Sequence, residues 1–568
     1  MDRRKFVSVG AASLTILPFL GFASILNNNE TPVKPKWLLD LIKMNDEGIK
    51  IPAAKKITDP NDHFYGAYVN GFNIPTPHST AGFIDQACIA IGTPESIYYR
   101  SATLLKELED AFKGILKLQH EDGTIDLVDS NFHSTPDTAF IVKVMAPLYA
   151  ILKNSNTPGQ EKILVLFEQF LKRAGNALAT GGIHTPNHRW VVSAALVRVN
   201  EQFPDKKYTD RVNQWLNEHI DLDPDGQYTE KSTGGYSAVV DRVLITVSKG
   251  MNRPEILDAV RKNIMMMRYY LHPNGEVVTE ASNRQDKGQI DRMDPYYYAC
   301  RFLALKDNNG EMAEMCRMIE KNNFRSLLGS MSYFLSDPGL WKELPASKEI
   351  PTSYVKTFPY SGVVRIRRGN WDTTLLTNNA GFMTFHKGNA VLQGIRVAGS
   401  FFGKGQFQSA EIKEENGKWI MRNKLDGPYY QPMPADKISP DGDLAKMPRT
   451  LREKSNIQNI EYTVIISETG KGMQVDFDIK GTDRVPIVVE LIFRRGGTFQ
   501  GVLQQDKPDI FAFKEQEGIY TVGNDQLHFG PGLGLHTWFQ LRGALPHIDN
   551  PTVYVTGFTP FKHSMHFS

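Results

Sequence analysis

The sequence predicts a multidomain α+β chain: an N-terminal (α/α) toroid of helical hairpins, then a C-terminal antiparallel, sandwich-like β-sheet domain. Three observations predict it. From about residue 80 to 325, apolar residues recur at three- and four-residue spacing, as in "YRSATLLKELEDAFKGILKL" and "QEKILVLFEQFLKRAGNAL". Within that span one helix-start device repeats. Near residue 350 the pattern changes to short β-branched and aromatic runs separated by turns, among them "SGVVRIRRG", "GFMTFHKG" and "PIVVELIFRRG".

The chain opens on "MDRRKFVSVGAASLTILPFLGFAS", a paired arginine, a phenylalanine and an apolar run. This is the n-region and h-region of an export signal, with Gly21 and Ala23 suited to cleavage after Ala23, and Arg3-Arg4 followed by Phe6 points to the twin-arginine route. The alternative is an uncleaved anchor. The expected organisation is a signal over 1–23, an N-terminal extension over 24–79, the toroid over 80–340 and the β-sheet domain over 341–568. The mature chain is expected to lack a membrane span and to be periplasmic or secreted.

Composition excludes some classes. With 65 Lys plus Arg against 63 Asp plus Glu, the 568 residues carry a formal charge of only +2, so no overall basic field argues for nucleic acid. An acidic partner would have to be recognised locally. Cys88, Cys300 and Cys316 form neither a disulfide framework nor a metal knuckle.

The helical part has internal order. Thr93-Pro94, Thr135-Pro136, Thr185-Pro186 and Asp294-Pro295 each set a capping oxygen before a proline, and Ser232 or Thr233 holds a similar place before "GGYSAVVDRVL". These starts are spaced by about 40 to 60 residues, room for a second helix running back, and repeated hairpins close into a solenoid or toroid. "LPASKEIPTSYVKTFPYSG" reads as the junction to the β domain, and "NKLDGPYYQPMPADKISPDGDLAKMPR" as a loop able to overhang a neighbouring cleft.

Two helix starts carry unusual chemistry. In "GGIHTPNHRWVVSAAL" Asn187, His188 and Arg189 fall in the first turn, where free N–H groups and the helix dipole attract an anion. Asn187 adds a donor and His188 a donor or base. Side chains satisfying nearby loops would use the same residues. One hairpin later, "DPDGQYTEKSTGGYSAVVDRVL" places Tyr228, Glu230 and Tyr236 around a glycine-rich start, with Arg242 further along. In a toroid both starts line one opening. Tyrosine serves as a general acid beside a suitable cation or donor, or packs against the next helix. His133 and Asp137 in "HSTPDTAF" sit at another start and can line the same cavity, although Asp in a first turn commonly caps amides. The basic pieces "RIRRG" and "FRRGG" could grip an acidic glycan or form a solvated strand face.

"NHRW…AAL" followed by "DGQYTEKSTGGY" resembles the paired motifs of heparinase II/III-like and alginate-lyase-like polysaccharide lyases, an Asn-His segment and then a DG…E…GY segment. A third stretch, "GFMTFHKGNAVLQGIRVAG", is similar to the β-domain histidine motif of those families and opens on His386. Where the family often has a second His and an Asp, this chain has Lys387, Gly388 and Asn389, so neither a metal nor a cofactor is expected. The resemblance implies a toroid followed by a β-sheet domain, and β-elimination across a uronate linkage of an acidic polysaccharide or oligosaccharide. It implies that Asn187 neutralises the uronate carboxylate, that His188 or His386 takes the C5 proton and that Tyr236 protonates the leaving O4, or that Tyr236 does both. Glu230 would orient Tyr236, while Tyr228, Arg189, Arg242, His133 and Asp137 would line the substrate site. Two alternatives stay open: an unsaturated-glucuronyl type of hydrolase using Asp137 or Glu230, and a glycan-binding protein without chemistry.

Overall fold

Helical hairpins build the first half of the chain in the computed structural model, which describes residues 33–49 and 55–568. The signal expected at 1–23 lies outside the described residues. The helices are α1 (Lys36–Gly48), α2 (Pro77–Gly92), α3 (Ala102–Lys117), α4 (Thr135–Ser155), α5 (Glu161–Thr180), α6 (Pro186–Gln202), α7 (Lys206–Leu216), α8 (Tyr236–Gly250), α9 (Leu257–Met267), α10 (Tyr297–Asp307), α11 (Gly310–Asn323) and α12 (Met331–Ser336). α2, α4, α6, α8 and α10 pack each against the next as an inner wall, and α3, α5, α7, α9 and α11 each return along the helix before them.

The two kinds of helix differ in sequence as in position. α3 buries Leu104, Leu105, Leu108, Ala111, Phe112 and Ile115 along one stripe and leaves its other side wet. α6 is buried continuously from Asn187 to Val197, because inner helices have neighbours on every side. α4 is long and apolar enough to cross a membrane, yet it is another inner helix, mostly buried within the toroid. α1 packs on α2 and on the 3-10 turn Phe324–Ser330, and Trp37 lies 5.2 Å from Phe334 with the Arg301 guanidinium 4.4 Å from its ring. Part of the stretch expected as an extension thus joins the end of the helical domain to its beginning.

The helix starts need correction in detail. Thr93 ends α2 instead of opening a helix; Thr76 is the cap, accepting from Ser79 N–H. Ser134, not Thr135, caps α4. Asp294-Pro295 opens a 3-10 turn that runs into α10. Such shifts arise because any hydroxyl near a proline satisfies the same sequence rule, and packing selects among them.

Two antiparallel-rich sheets share one core in the second half. The nine-stranded sheet runs, edge to edge, through Val502–Gln504, Ile510–Phe513, Thr552–Phe558, Pro486–Phe493, Ala390–Gly399, Met383–Lys387, Trp371–Leu376, Val363–Arg368 and Ser353–Phe358. The eight-stranded sheet contains the long hairpin Lys454–Glu468 and Met473–Gly481, whose strict in–out burial marks one wet face. The expected junction is only partly a linker, because Ser353–Phe358 inside it is an edge strand paired with Val363–Arg368. The expected overhanging loop begins as strand, Lys418–Tyr430, and the backbone of its remainder bonds back to its own hairpin through Gln431 N–H to the Glu453 carbonyl (2.9 Å).

Candidate active site

Three inner helices, α4, α6 and α8, start on one rim of the toroid. Gly181 lets the loop between α5 and α6 press on α4, since a Cβ there would lie 2.1 Å from Thr135 Oγ1. Between Ser130–Pro136 and Gly182–His184 lies a cavity of about 450 Å³.

Thr185 takes the N-cap position of α6, but its hydroxyl caps no backbone N–H. The orphan donor is satisfied from afar. Asn187 N–H donates to Glu230 Oε1 (2.9 Å), and the Asn187 Nδ2 donates to the same oxygen (2.8 Å) and more weakly to Thr185 Oγ1 (3.2 Å). A helix terminus and a side-chain amide thus hold one carboxylate, as the local electrostatics favour. Asn187 is only 2% exposed, and its Oδ1 has no hydrogen-bond partner among the described residues.

Glu230 reaches further. Its Oε2 lies 3.6 Å from Arg284 Nε, and the Arg284 guanidinium sits 5.2 Å from the centroid of the Tyr236 ring. Tyr236 is the first residue of α8, its N–H donating to Ser232 Oγ (3.0 Å). Among the described residues its hydroxyl meets no protein partner. The loop carrying Arg284 is stitched to this helix start: Asp286 accepts from Ser232 Oγ (3.1 Å) and from Gly234 N–H (2.8 Å). Gly234 leaves room for Asp291, whose Oδ2 would lie 2.2 Å from a Cβ there. Asn187, Glu230, Arg284 and Tyr236 therefore form one contiguous chain. Arg284 escaped the sequence reading because it sits in an aperiodic loop with no motif around it.

His188 lies next to this chain, its ring 4.7 Å from that of His184. Burial foremost, then the neighbouring His184 and Arg284, pull its pKa from 6.5 down to about 4, although Asp137 opposes this. The imidazole is therefore neutral at neutral pH.

The sequence matches no protein-family model and no curated protein. Solved structures do match. The chain is similar to the xanthan lyase of Paenibacillus at 10% identity and a TM-score of 0.56, over 93% of this chain and 56% of that one. It is similar to heparinase III at 10% identity and 0.53, over 96% and 87%, and to the chondroitin AC lyase of Streptomyces coelicolor A3 at 10% and 0.52, over 93% and 79%. The fold is that of the (α/α)-toroid polysaccharide lyases. This chain spans little more than half of the xanthan lyase, and at 10% identity the likeness is one of fold.

Other residues expected at the site go elsewhere in this lyase fold. Tyr228 is 2% exposed and donates to Asp241 Oδ1 (2.7 Å), a bond inside the toroid core. Arg189 pairs with Asp221 (2.7 Å) and Glu218 (3.1 Å), fastening the α6–α7 hairpin. Arg242 donates to the Pro295 carbonyl (3.2 Å) between helices. Asp137 accepts from Asn131 Nδ2 (3.0 Å) and from Ser134 Oγ, closing the start of α4. His133 lines the cavity but is exposed, held by Asp122 (2.8 Å) and stacked on His120.

His386 departs furthest from expectation. It is 3% exposed, lies opposite Asp372 in the sheet register and stacks face to face on His272 at 3.7 Å. No contact joins it to Asn187 or Tyr236 among the described residues. The basic strand piece behaves likewise, since Arg365 is wholly buried and bonded to Asp372 (2.9 Å). His272, Glu280 and His386 bring one ligand atom each within 4.8 Å of one another.

Proposed function

We propose that the protein is an exported polysaccharide lyase that cleaves a uronate-containing acidic glycan by β-elimination. The observation carrying this reading is that the start of α6 and the Asn187 amide together grip a carboxylate, that of Glu230. A site complementary to a carboxylate is what elimination requires, because the C5 proton of a uronate becomes acidic only when the adjacent carboxylate is neutralised. The Asn187 contact to Thr185 is the longer one and the one a substrate oxygen can take, while Glu230 keeps the amide oriented. Charge growing toward the enolate then meets a donor already in place.

Tyr236 supplies the proton for the departing O4, and Arg284 over its ring stabilises the negative charge left on the oxygen. His188, neutral above about pH 4, can accept the C5 proton. Where both transfers lie on one face, Tyr236 serves for both. The sugar chain would run from the rim cavity toward the polar cavity of about 210 Å³ between the domains, lined by Lys231, Asn283, Lys287 and Asn378. Solved neighbours named for xanthan and for chondroitin sulphate support an acidic glycan.

The hydrolase reading needs a carboxylic acid able to donate. Glu230 and Asp137 are both occupied as acceptors, which disfavours it. Incubation with alginate, glycosaminoglycans and rhamnose–glucuronate gums separates the readings. Elimination yields the ultraviolet absorbance of an unsaturated uronate; new reducing ends without absorbance would overturn the lyase, and binding without either product would leave a glycan-binding protein. Export is tested by N-terminal sequencing, which should begin after Ala23; mature protein still starting at Met1 would count against it.

A further inference from the structure

We propose that the glycan sets its uronate beside an uncharged, unsulphated sugar, and that the rim cavity is built to hold that sugar. The uronate itself rests on the lyase reading; what its neighbour must be follows from a contrast of charge between two cavities. The chain of Asn187, Glu230 and Arg284 joins them. His184 lines the rim cavity and lies against His188, the residue after Asn187. Lys231 and Asn283 line the cavity between the domains and adjoin Glu230 and Arg284 in sequence.

The rim cavity is ringed with carboxylates. Neither Lys nor Arg is among its lining residues, which come from the hairpin Ile125–Leu127 and Asn131–Ser134, the start of α4 and the loop between α5 and α6. The hairpin is tied to acids: His133 Nδ1 meets Asp122 (2.8 Å), the His133 N–H donates to Asp126 (2.7 Å), and Asn131 Nδ2 donates to Asp137 (3.0 Å). Asp129, exposed beside Ser130, adds a fourth carboxylate. The Arg211 guanidinium does not offset them, because it is turned to the Gly181 carbonyl (2.6 Å) and the Trp215 ring (4.7 Å). Like charges brought together discriminate strongly between partners, so a sulphate or a second carboxylate is repelled here. Phe132, 67% exposed, and Ile183 offer apolar contact instead, which suits the C–H face of a sugar without charge.

The cavity between the domains is the reverse. Lys231 and Lys287 line it beside the amides of Asn283 and Asn378. Lys287 joins no ion pair among the described residues, and Lys231 reaches only the Ser361 and Tyr360 carbonyls (3.2 and 3.5 Å). Glu280, the one acid there, is already committed to Thr374 (2.7 Å) and Thr384 (3.0 Å). A carboxylate of the glycan is thus attracted on this side and repelled on the other. A polymer of uronates, or one sulphated on the sugar beside each uronate, carries charge into the rim cavity. A uronate next to an uncharged sugar does not.

The test pairs each glycan with its sulphated form: chondroitin, heparosan and a rhamnose–glucuronate gum, with alginate as a chain charged at every unit. Binding to the mature chain carrying Tyr236→Phe, measured by calorimetry at physiological ionic strength, needs no turnover and so stands apart from the lyase reading. An unsulphated member should bind about tenfold or more tightly than its sulphated form and than alginate, and the parent enzyme should rank them alike in unsaturated product. Phe132→Ala should weaken binding of that member several-fold. Asp129→Lys reverses the charge of an exposed residue and should narrow the gap between the two forms several-fold. Equal or tighter binding of the sulphated forms or of alginate, no binding of any unsulphated glycan, or a gap unchanged by Asp129→Lys would overturn the proposal. A preference for the unsulphated form without absorbance from the parent would overturn the lyase and leave the charge selection standing.

Discussion

The chain of Asn187, Glu230, Arg284 and Tyr236 and the cluster of His272, Glu280, Asp372 and His386 are assembled from the same residue types, yet they are built to opposite ends. At the rim, polar atoms are left over: among the described residues the Tyr236 hydroxyl lacks a partner, and the Asn187 amide holds one donor in a long contact. In the buried cluster the carboxylates are committed to neighbours in the core, and although burial pushes them up, Arg365 holds Asp372 and His272 holds Glu280 well below the usual carboxylate range. Groups that must exchange protons with a substrate need spare valence and access. Groups that hold two domains together need neither.

The sharpest way to break the comparison is to alter one atom at each place. Tyr236→Phe keeps the ring beneath Arg284 and removes the proton, so turnover should fall about 100- to 10,000-fold with melting unchanged. A fully active variant would end the acid assignment. Asn187→Ala should lower turnover about 100- to 1,000-fold. It should also destabilise by about 1–3 kcal/mol, because it strips Glu230 of a buried donor. Equal modest losses in turnover and stability would make Asn187 structural. At the buried cluster, His386→Ala should act through melting temperature first, since it removes the ring stacked on His272; a large loss of turnover with melting intact would return His386 to the chemistry.

Much of this was legible in advance. Helical periodicity and the repeated starts marked the toroid, and the two motifs marked the rim, because both obey local rules about caps and free amides. What stayed hidden was pairing at a distance. Glu230 reaches back 43 residues to Asn187, and Asp372 reaches back 100 to His272. Tyr228 and Tyr236 looked alike in sequence, and only packing put one hydroxyl on Asp241 and left the other without a partner among the described residues. His272 and Arg284 lie in a loop without periodicity, where no spacing rule applies.

The pH dependence sharpens the contrast further. His188 has a folded pKa near 4 against 6.5 when unfolded, so the unfolded chain takes up the proton first as pH falls. Stability from this group is full above about pH 6.5 and is lost progressively toward pH 4. Between pH 7 and pH 5 the loss should be about 2 kcal/mol. His188→Gln should flatten that part of the stability profile relative to the parent, read by denaturant unfolding at each pH. Parallel profiles would mean that the ring is more solvated than its burial implies.

The smallest effect is the most discriminating for the two tyrosines. Tyr228→Phe removes a hydroxyl that donates to Asp241, whose carboxyl burial raises well above the usual carboxylate range. Such bonds contribute about 1 kcal/mol, and the stranded Asp241 oxygen adds a similar cost. Melting should fall by only a few degrees, since a kilocalorie shifts a chain of this size by roughly 2–4 °C or less. Turnover on any accepted glycan should stay within about twofold, because no group that touches the rim cavity has moved. Tyr236→Phe should show the reverse pattern, eight positions along the same segment. If Tyr228→Phe instead abolished turnover while melting held, access would not be what separates reactive residues from structural ones in this fold.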